Sequence, residues 1–162
     1  MIFSTFIDSP IGRVLIKGAN DRISFIGIEN RPKKHTGQLP GFMANCAEEL
    51  KAYFYDGLEQ FSFEVNFDGG SAFQKKIWTE LLNIPYGKTR TYLNIAEKLY
   101  DKNYVRAVGN SVGKNPLMIY VPCHRIIGSD GSMTGFAYGI EIKKQLLTLE
   151  KSKLYGAQKK LF

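Results

Sequence analysis

Four residues hold all the thiol and imidazole chemistry of this chain: His35, Cys46, Cys123 and His124. Only Cys123 and His124 adjoin, inside "NPLMIYVPCHRIIGSDGSM" (115–133), where an apolar run leads into Pro, Cys, His and Arg. A thiol ordinarily titrates near ~8.5, so nucleophilicity at neutral pH needs a base or a positive field beside it. An extended "MIYVPCHR" sends Cys123 and His124 to opposite sides of the strand, leaving a bridging water as the simplest proton route between them. That geometry argues against a preformed thiolate–imidazolium pair. Cys46 reads as a small buried hydrophobe. Neither a CxxC nor an HxxxH pair exists, so no metal site is expected.

The final helical pattern, "IEIKKQLLTLEK", puts Ile142, Leu146 and Leu149 on a core stripe, with Glu150 projecting beside it. A carboxylate at the edge of a core needs a partner. His124 is one candidate and Lys143, on a similar face, another. An ordinary solvated helix charge is the other reading of Glu150.

The remaining elements must position these groups. "IFSTFID", "GRVLIKG" and "RISFIGIE" are short β-favouring runs separated by turn chemistry. "RPKKHTGQLPG" (31–41) is a polar loop, "CAEELKAYF" (46–54) has helical spacing, and "FSFEVNFD" (61–68) alternates as a strand. "GGSAFQ" then marks a boundary, because Ser71 with Gln74 three residues on is a capping-box signature. The helix it opens carries Phe73, Ile77, Trp78 and Leu81 on one face. "NIPYGKT" stops it, and "TYLNIAEKLY" follows, burying Leu93, Ala96 and Leu99 or Ile95.

"YVRAVGNSVGKN" comes next, after a tight "DKN" turn, and the pair fits a helix-turn-helix. Val105, Val108 and Val112 set the inward face of its second helix. Arg106, Ala107, Asn110, Ser111 and Lys114 then face outward. Small side chains there permit close backbone approach, and the cations suit phosphates. A generic solvated face fits the same spacing.

The chain has 162 residues, 44% hydrophobic and 23% charged, with a formal charge of +7. That is one domain or two small ones, folded and globular. The positive balance suits a polyanion such as nucleic acid, and equally a solubilising surface. No apolar stretch approaches the ~20 residues that span a bilayer, so no membrane partner is expected. "MIFSTFIDSPIGR" does not read as a signal peptide. Two cysteines make no disulfide framework, and a reducing cytosol is expected.

Taken together, "IPYGKTRTY", "RAVGNSVGKNP" and "NPLMIYVPCHRIIGSDGSMTGF" closely resemble the O6-alkylguanine-DNA alkyltransferases, also called methylated-DNA–protein-cysteine methyltransferases. The match runs from about Phe73 to Glu150. The resemblance implies an α+β fold: a small ribonuclease-H-like N-terminal α/β domain (1–68), then a mainly helical, winged helix-turn-helix-like DNA-binding domain (69–162) carrying the PCHR active site. It implies a monomer without cofactor, acting in the cytoplasm or nucleoid, or in a nucleus. Its partner would be double-stranded DNA containing O6-alkylguanine, with O4-alkylthymine as a further base.

By the same resemblance, Cys123 accepts the alkyl group, His124 deprotonates it through a water, and Glu150 orients His124. Asn115 shapes the turn at the site, and Tyr92 protonates the guanine ring nitrogen N3. Arg106 inserts where the target nucleotide has left, Ala107, Asn110 and Ser111 pack in the minor groove, and Lys114 is a further DNA-binding residue. Cys123 and Ile126 offer main-chain carbonyls to the guanine edge. Met133, Phe136, Ala137 and Lys143 complete the pocket. Tyr138 stands where the family more often has glycine, which bears on pocket width.

Two other functions remain open on the residues alone. One is a helix-turn-helix protein that binds alkylated DNA without taking the alkyl group. The other is a thiol hydrolase, for which the sequence offers no oxyanion hole.

Overall fold

The computed structural model describes residues 1–31, 37–67, 69–133 and 135–160, with side chains as far as Lys153. His35 and part of the 31–41 loop lie outside the described residues. The chain divides into two compact units: Met1–Asp68 with Pro116–Met118, and Gly69–Asn115 with Ile119–Phe162. The fold is α+β, with a small sheet in the first unit and mainly helices in the second.

In the first unit, β1 (Phe3–Ser9), β2 (Gly12–Ala19) and β3 (Arg22–Ile28) form an antiparallel sheet in that order. Asn20 and Asp21, both with positive φ (53° and 62°), make the two-residue turn that joins β2 to β3. A register shift falls at Lys17/Gly18, and a Cβ on Gly18 would come within 2.6 Å of the Arg22 carbonyl. Helix α1 (Gly41–Asp56) starts after Pro40, ends on the left-handed Gly57, and packs chiefly against β1. Its buried Met43, Cys46, Leu50, Tyr53 and Phe54 meet Ile7, Val14, Ile16, Ile23 and Ile26 in one core. Cys46 is thus the buried hydrophobe expected.

The 61–68 segment departs from the expected strand. Among its described residues only Val65 pairs, in an isolated parallel bridge to Ile23. Two main-chain bonds, from the Ile23 N–H to the Glu64 carbonyl and from the Asn66 N–H to the Ile23 carbonyl, both 2.9 Å, act with side chains: Phe61 packs on Tyr53 at 6.0 Å and on Phe63 at 5.2 Å, and Glu49 accepts the Ser62 N–H at 2.7 Å. The alternation was real, but it marks packing on α1 and not a ladder. Pro116–Met118 joins the same sheet through Ile26, whose N–H donates to the Pro116 carbonyl at 2.9 Å.

The second unit opens with α2 (Ala72–Leu81), capped by the reciprocal Ser71–Gln74 box that the sequence predicts. A two-residue strand β4 (Arg90–Thr91) leads into α3 (Tyr92–Leu99), which carries its own Thr91–Asn94 box. A 3₁₀ turn at Lys102–Tyr104 joins α3 to α4 (Val105–Gly113), completing the helix-turn-helix. The face of α3 turned inward is Tyr92, Ile95 and Ala96, with Leu93 and Leu99 only half-buried. β5 (Ile126–Ile127) runs parallel to β4, and α5 (Ile140–Lys160) ends the unit.

Two helix faces are rotated from expectation. On α4 the buried residues are Val108, Ser111 and Val112. Ser111 therefore points inward, 3% exposed, and its carbonyl accepts the Trp78 indole N–H at 2.8 Å. Arg106, Ala107, Asn110 and Lys114 are exposed. On α5 the buried stripe is Lys143, Leu146, Leu147 and Glu150, while Ile142 and Leu149 are only half-buried. The apolar count alone misplaced that stripe because two of its members are charged.

Candidate active site

The chain enters the site through two tight turns. Pro122 (φ −79°, ψ 62°) forms an inverse γ-turn in which the Cys123 N–H donates to the Val121 carbonyl at 2.7 Å. Cys123–Arg125 then make a 3₁₀ turn, closed by the Arg125 N–H on the Pro122 carbonyl at 2.9 Å. The backbone at Cys123 and His124 is therefore not extended, and the opposite-faces argument fails there. A proline with fixed φ and no N–H is well suited to starting such a turn.

Asn115 locks this turn onto the thiol. Its Nδ2 donates to the Val121 carbonyl at 2.9 Å and to Cys123 Sγ at 3.2 Å. Burial pushes the Cys123 thiol up to about 11, against the opposing pull of the Asn115 hydrogen bond, the Lys143 charge and local backbone bonds. The resting sulfur is a thiol, so it needs a base.

The adjoining imidazole has its tautomer set by Glu150. His124 Nε2 lies 2.6 Å from Glu150 Oε2, and both side chains have no exposed surface. The carboxylate accepts the Nε2–H, which leaves the lone pair on Nδ1. Nδ1 is buried and has no hydrogen-bond partner among the described residues. Burial lowers the His124 pKa, Glu150 raises it, and the Arg125 and Lys143 charges lower it further. The imidazole is neutral and able to accept a proton.

Glu150 is gripped from four directions. Arg125 donates Nε to Oε1 at 2.9 Å and Nη2 to Oε2 at 3.1 Å, in a planar fork. The Gly87 N–H adds a bond to Oε1 at 3.0 Å, besides the bond with His124. Burial pushes this carboxyl up, but the His124 and Arg125 bonds and charges outweigh it and hold the group well below the usual carboxylate range. Glu150 is therefore no solvated helix charge.

Sequence reasoning gave no role to Arg125 or to Gly87. Arg125 is 7% exposed, and its third donor, Nη1, holds the Ile84 carbonyl at 2.8 Å. A cation directly after His124 at the end of an apolar run was the signal available. Gly87 (φ 75°) follows Pro85 and Tyr86 in a turn closed by the Lys88 N–H on the Pro85 carbonyl at 3.0 Å. A glycine at that turn position is the type II signature, and here the turn presents the Gly87 N–H to Glu150.

Tyr92 and Lys143 form the other side of the site. The Lys143 Nζ sits 5.7 Å from the centre of the Tyr92 ring, and Lys143 is fully buried. Burial lowers the ammonium to about 8, against the opposing influence of Cys123. The Tyr92 hydroxyl is raised by burial and then by the Cys123 charge, so it stays protonated and can donate. A Cβ on Gly135 (φ 88°) would fall 2.5 Å from the Tyr92 oxygen, so only glycine permits the loop to pass there.

Of the residues the sequence singled out, Cys123, His124, Glu150, Asn115, Tyr92 and Lys143 are thus linked through these contacts and charges. Ile126 is fully buried, so any contact it makes with a ligand is main-chain. Met133 and Phe136 are half-buried and Ala137 is exposed, all on the loop between β5 and α5. Phe136 meets Tyr138 edge-on at 5.8 Å. Among the described residues no helix is long and apolar enough to cross a membrane.

A helix-turn-helix unit that carries a buried thiol next to a buried His–Glu pair defines a class of DNA-directed cysteine proteins, and the comparisons specify which. The family model for the 6-O-methylguanine DNA methyltransferase, DNA binding domain, matches residues 72–152. A methylated-DNA–protein-cysteine methyltransferase of Mycobacterium bovis is 39% identical over 157 residues, 94% of each chain. One from Methanosarcina barkeri is 38% identical over 94% of this chain and 99% of its own. The crystal structure of Mycobacterium tuberculosis OGT in complex with DNA superposes with a TM-score of 0.83 at 39% identity, covering 93% of both chains. The chain belongs to the methylated-DNA–protein-cysteine methyltransferase family.

Proposed function

We propose that this protein repairs duplex DNA by moving the alkyl group of O6-alkylguanine, and of O4-alkylthymine as a second base, onto Cys123. The observation that carries the reading is the buried Nδ1 of His124, the one ring nitrogen left basic by the Glu150 contact. A stacked base hides its O6, so the target nucleotide is extruded through the minor groove at a cost of a few kcal/mol. Arg106, exposed on α4, fills the space left behind, and Ala107, Asn110 and Lys114 follow the groove.

In the pocket the thiol proton passes through a water to His124 Nδ1. The sulfur attacks the carbon bound to O6, the S–C bond forms, and the C–O bond breaks with its electrons on the guanine. Tyr92 supplies a proton to N3, so the base leaves neutral. One proton gained by His124 and one given by Tyr92 balance the site. Asn115 and the Lys143 ammonium stabilise the developing thiolate. The product is a thioether, which water does not cleave, so each molecule acts once. Two free thiols fit a reducing compartment that holds DNA, either the cytoplasm and nucleoid or a nucleus.

The test is the intact mass after incubation with a duplex carrying one O6-methylguanine. The wild type is expected to gain one methylene on the Cys123 peptide, and Cys123→Ala to gain nothing. Tight lesion binding without mass gain would leave a damage-recognition protein instead.

A further inference from the structure

An aromatic cluster at the entry to α4 has no part in the site described above. Phe73 lies in the first turn of α2, Tyr100 directly follows α3, and Tyr104 immediately precedes α4. Tyr100 and Tyr104 stack with centroids 4.6 Å apart at 19°, and Phe73 stacks on Tyr100 at 5.3 Å and 29°. The Lys76 Nζ lies 4.5 Å from the centre of the Tyr100 ring. Phe73 and Tyr100 are half-buried, but Tyr104 is 39% exposed. A ring kept in place by two aromatic neighbours and still open to solvent offers a fixed π surface.

The surroundings favour an anion. Lys76, Lys102 and Arg106 are exposed around the cluster, and the nearby Asp101 has its Oδ1 engaged by the Asn103 N–H at 2.7 Å. Tyr104, the residue before α4, and Arg106, in its first turn, both lie at the N-terminal end of that helix. Extrusion of a nucleotide leaves its opposite base unpaired and partly unstacked. Aromatic side chains bind such bases whatever their identity, because every base has a π face.

We propose that Tyr104, backed by Tyr100 and Phe73, is a stacking platform for the base left unpaired opposite the extruded nucleotide, with Lys76 and Lys102 neutralising the adjoining phosphates. The inference rests on the repair reading above. It adds a second protein–base contact to the one made in the pocket, and it sits in the same helix-turn-helix that presents Arg106.

The experiment compares wild type, Tyr104→Leu, Tyr104→Trp and Lys76→Gln on a duplex with one O6-methylguanine opposite 2-aminopurine. Free O6-benzylguanine base serves as a substrate that needs no DNA. Tyr104→Leu is expected to bind the duplex about tenfold more weakly, to leave 2-aminopurine brighter in the complex, and to react with the free base at the wild-type rate. Tyr104→Trp should bind at least as tightly as wild type with deeper quenching. Lys76→Gln should lower the salt slope of binding by about one. Unchanged duplex affinity and quenching in Tyr104→Leu would overturn the platform. An equal loss on free base and duplex would also overturn it, since the cluster would then only hold the fold. Failure of the wild type to react with either substrate would strike the repair reading itself.

Discussion

His124 Nε2 and Glu150 Oε2 stand 2.6 Å apart with neither side chain exposed, and that contact decides which imidazole nitrogen can serve the thiol. Replacing Glu150 by Gln keeps the size but lets the amide donate to Nε2, moving the proton to Nδ1. Alkyl transfer in single turnover should slow by about 10²–10⁴-fold, the usual worth of a positioned base. Stability should fall as well, by about 3–5 kcal/mol, because Arg125 is left buried without its anion. Urea unfolding measures the second effect separately. A variant that is less stable yet transfers at the wild-type rate would remove His124 from the mechanism.

The pH response follows from the direction of each shift. Glu150 is held below its ordinary 4.5, so its contribution is present above 4.5 and is lost as pH falls through that range. His124 is held below its ordinary 6.5, so the unfolded chain binds the proton first, and stability declines as pH drops below 6.5. Both losses lie on the acid side. The thermal midpoint should begin to fall near pH 6.5 and fall more steeply below 4.5. Glu150→Gln should lose the steeper part. A midpoint flat from pH 7 to 4 would contradict the burial of this pair.

Cys123 is predicted to be protonated well above neutrality, its thiol being pushed up to about 11. Modification by a small methanethiosulfonate should therefore rise tenfold per pH unit through pH 9, where an ordinary thiol levels off. Asn115→Ala and Lys143→Met each remove a group that favours the thiolate, and each should slow modification at a given pH. A plateau below pH 8 in the wild type would mean a preformed thiolate.

Arg106 and Ser111 separate the two faces of α4. Arg106→Ala should weaken lesion-duplex binding by tenfold or more with little change in stability. Ser111→Ala should leave binding unchanged, because that side chain is 3% exposed. Ser111→Leu should destabilise the unit by about 1–3 kcal/mol through overpacking. Anisotropy titrations and thermal melts distinguish the cases.

Gly135→Ala tests the approach of the loop to Tyr92. A Cβ there would lie 2.5 Å from the tyrosine oxygen, on a residue at φ 88°. Transfer to DNA and to free base should both drop, with a stability cost of about 1 kcal/mol from the left-handed backbone. A fully active Gly135→Ala would show that the Tyr92 hydroxyl need not hold its place.

Much of this was legible in the residues. The Ser71–Gln74 capping box, the helix-turn-helix and the buried Cys46 follow from local chemistry that tertiary packing reinforces. The site itself was read partly through its likeness to a family, since spacing alone left Glu150 free to be a surface charge. Three things were not legible. Val65 pairs alone because aromatic packing on α1, invisible to a period-two count, holds its segment. Ser111 turns inward because a buried polar residue has no apolar signal. The backbone at Cys123 is bent by the turns at Pro122 and Cys123–Arg125, although the apolar run before it suggested a strand.

The carboxylate of Glu150 also has a consequence in time. Its partners, Gly87, His124 and Arg125, precede it in the chain, the farthest by 63 residues. During synthesis Cys123 emerges well before the residue that sets its base. Until α5 has docked, His124 lacks the Glu150 contact that fixes its tautomer. On the proposed mechanism, a reagent that can be used only once would then stay inert until the unit that aims it at DNA is finished.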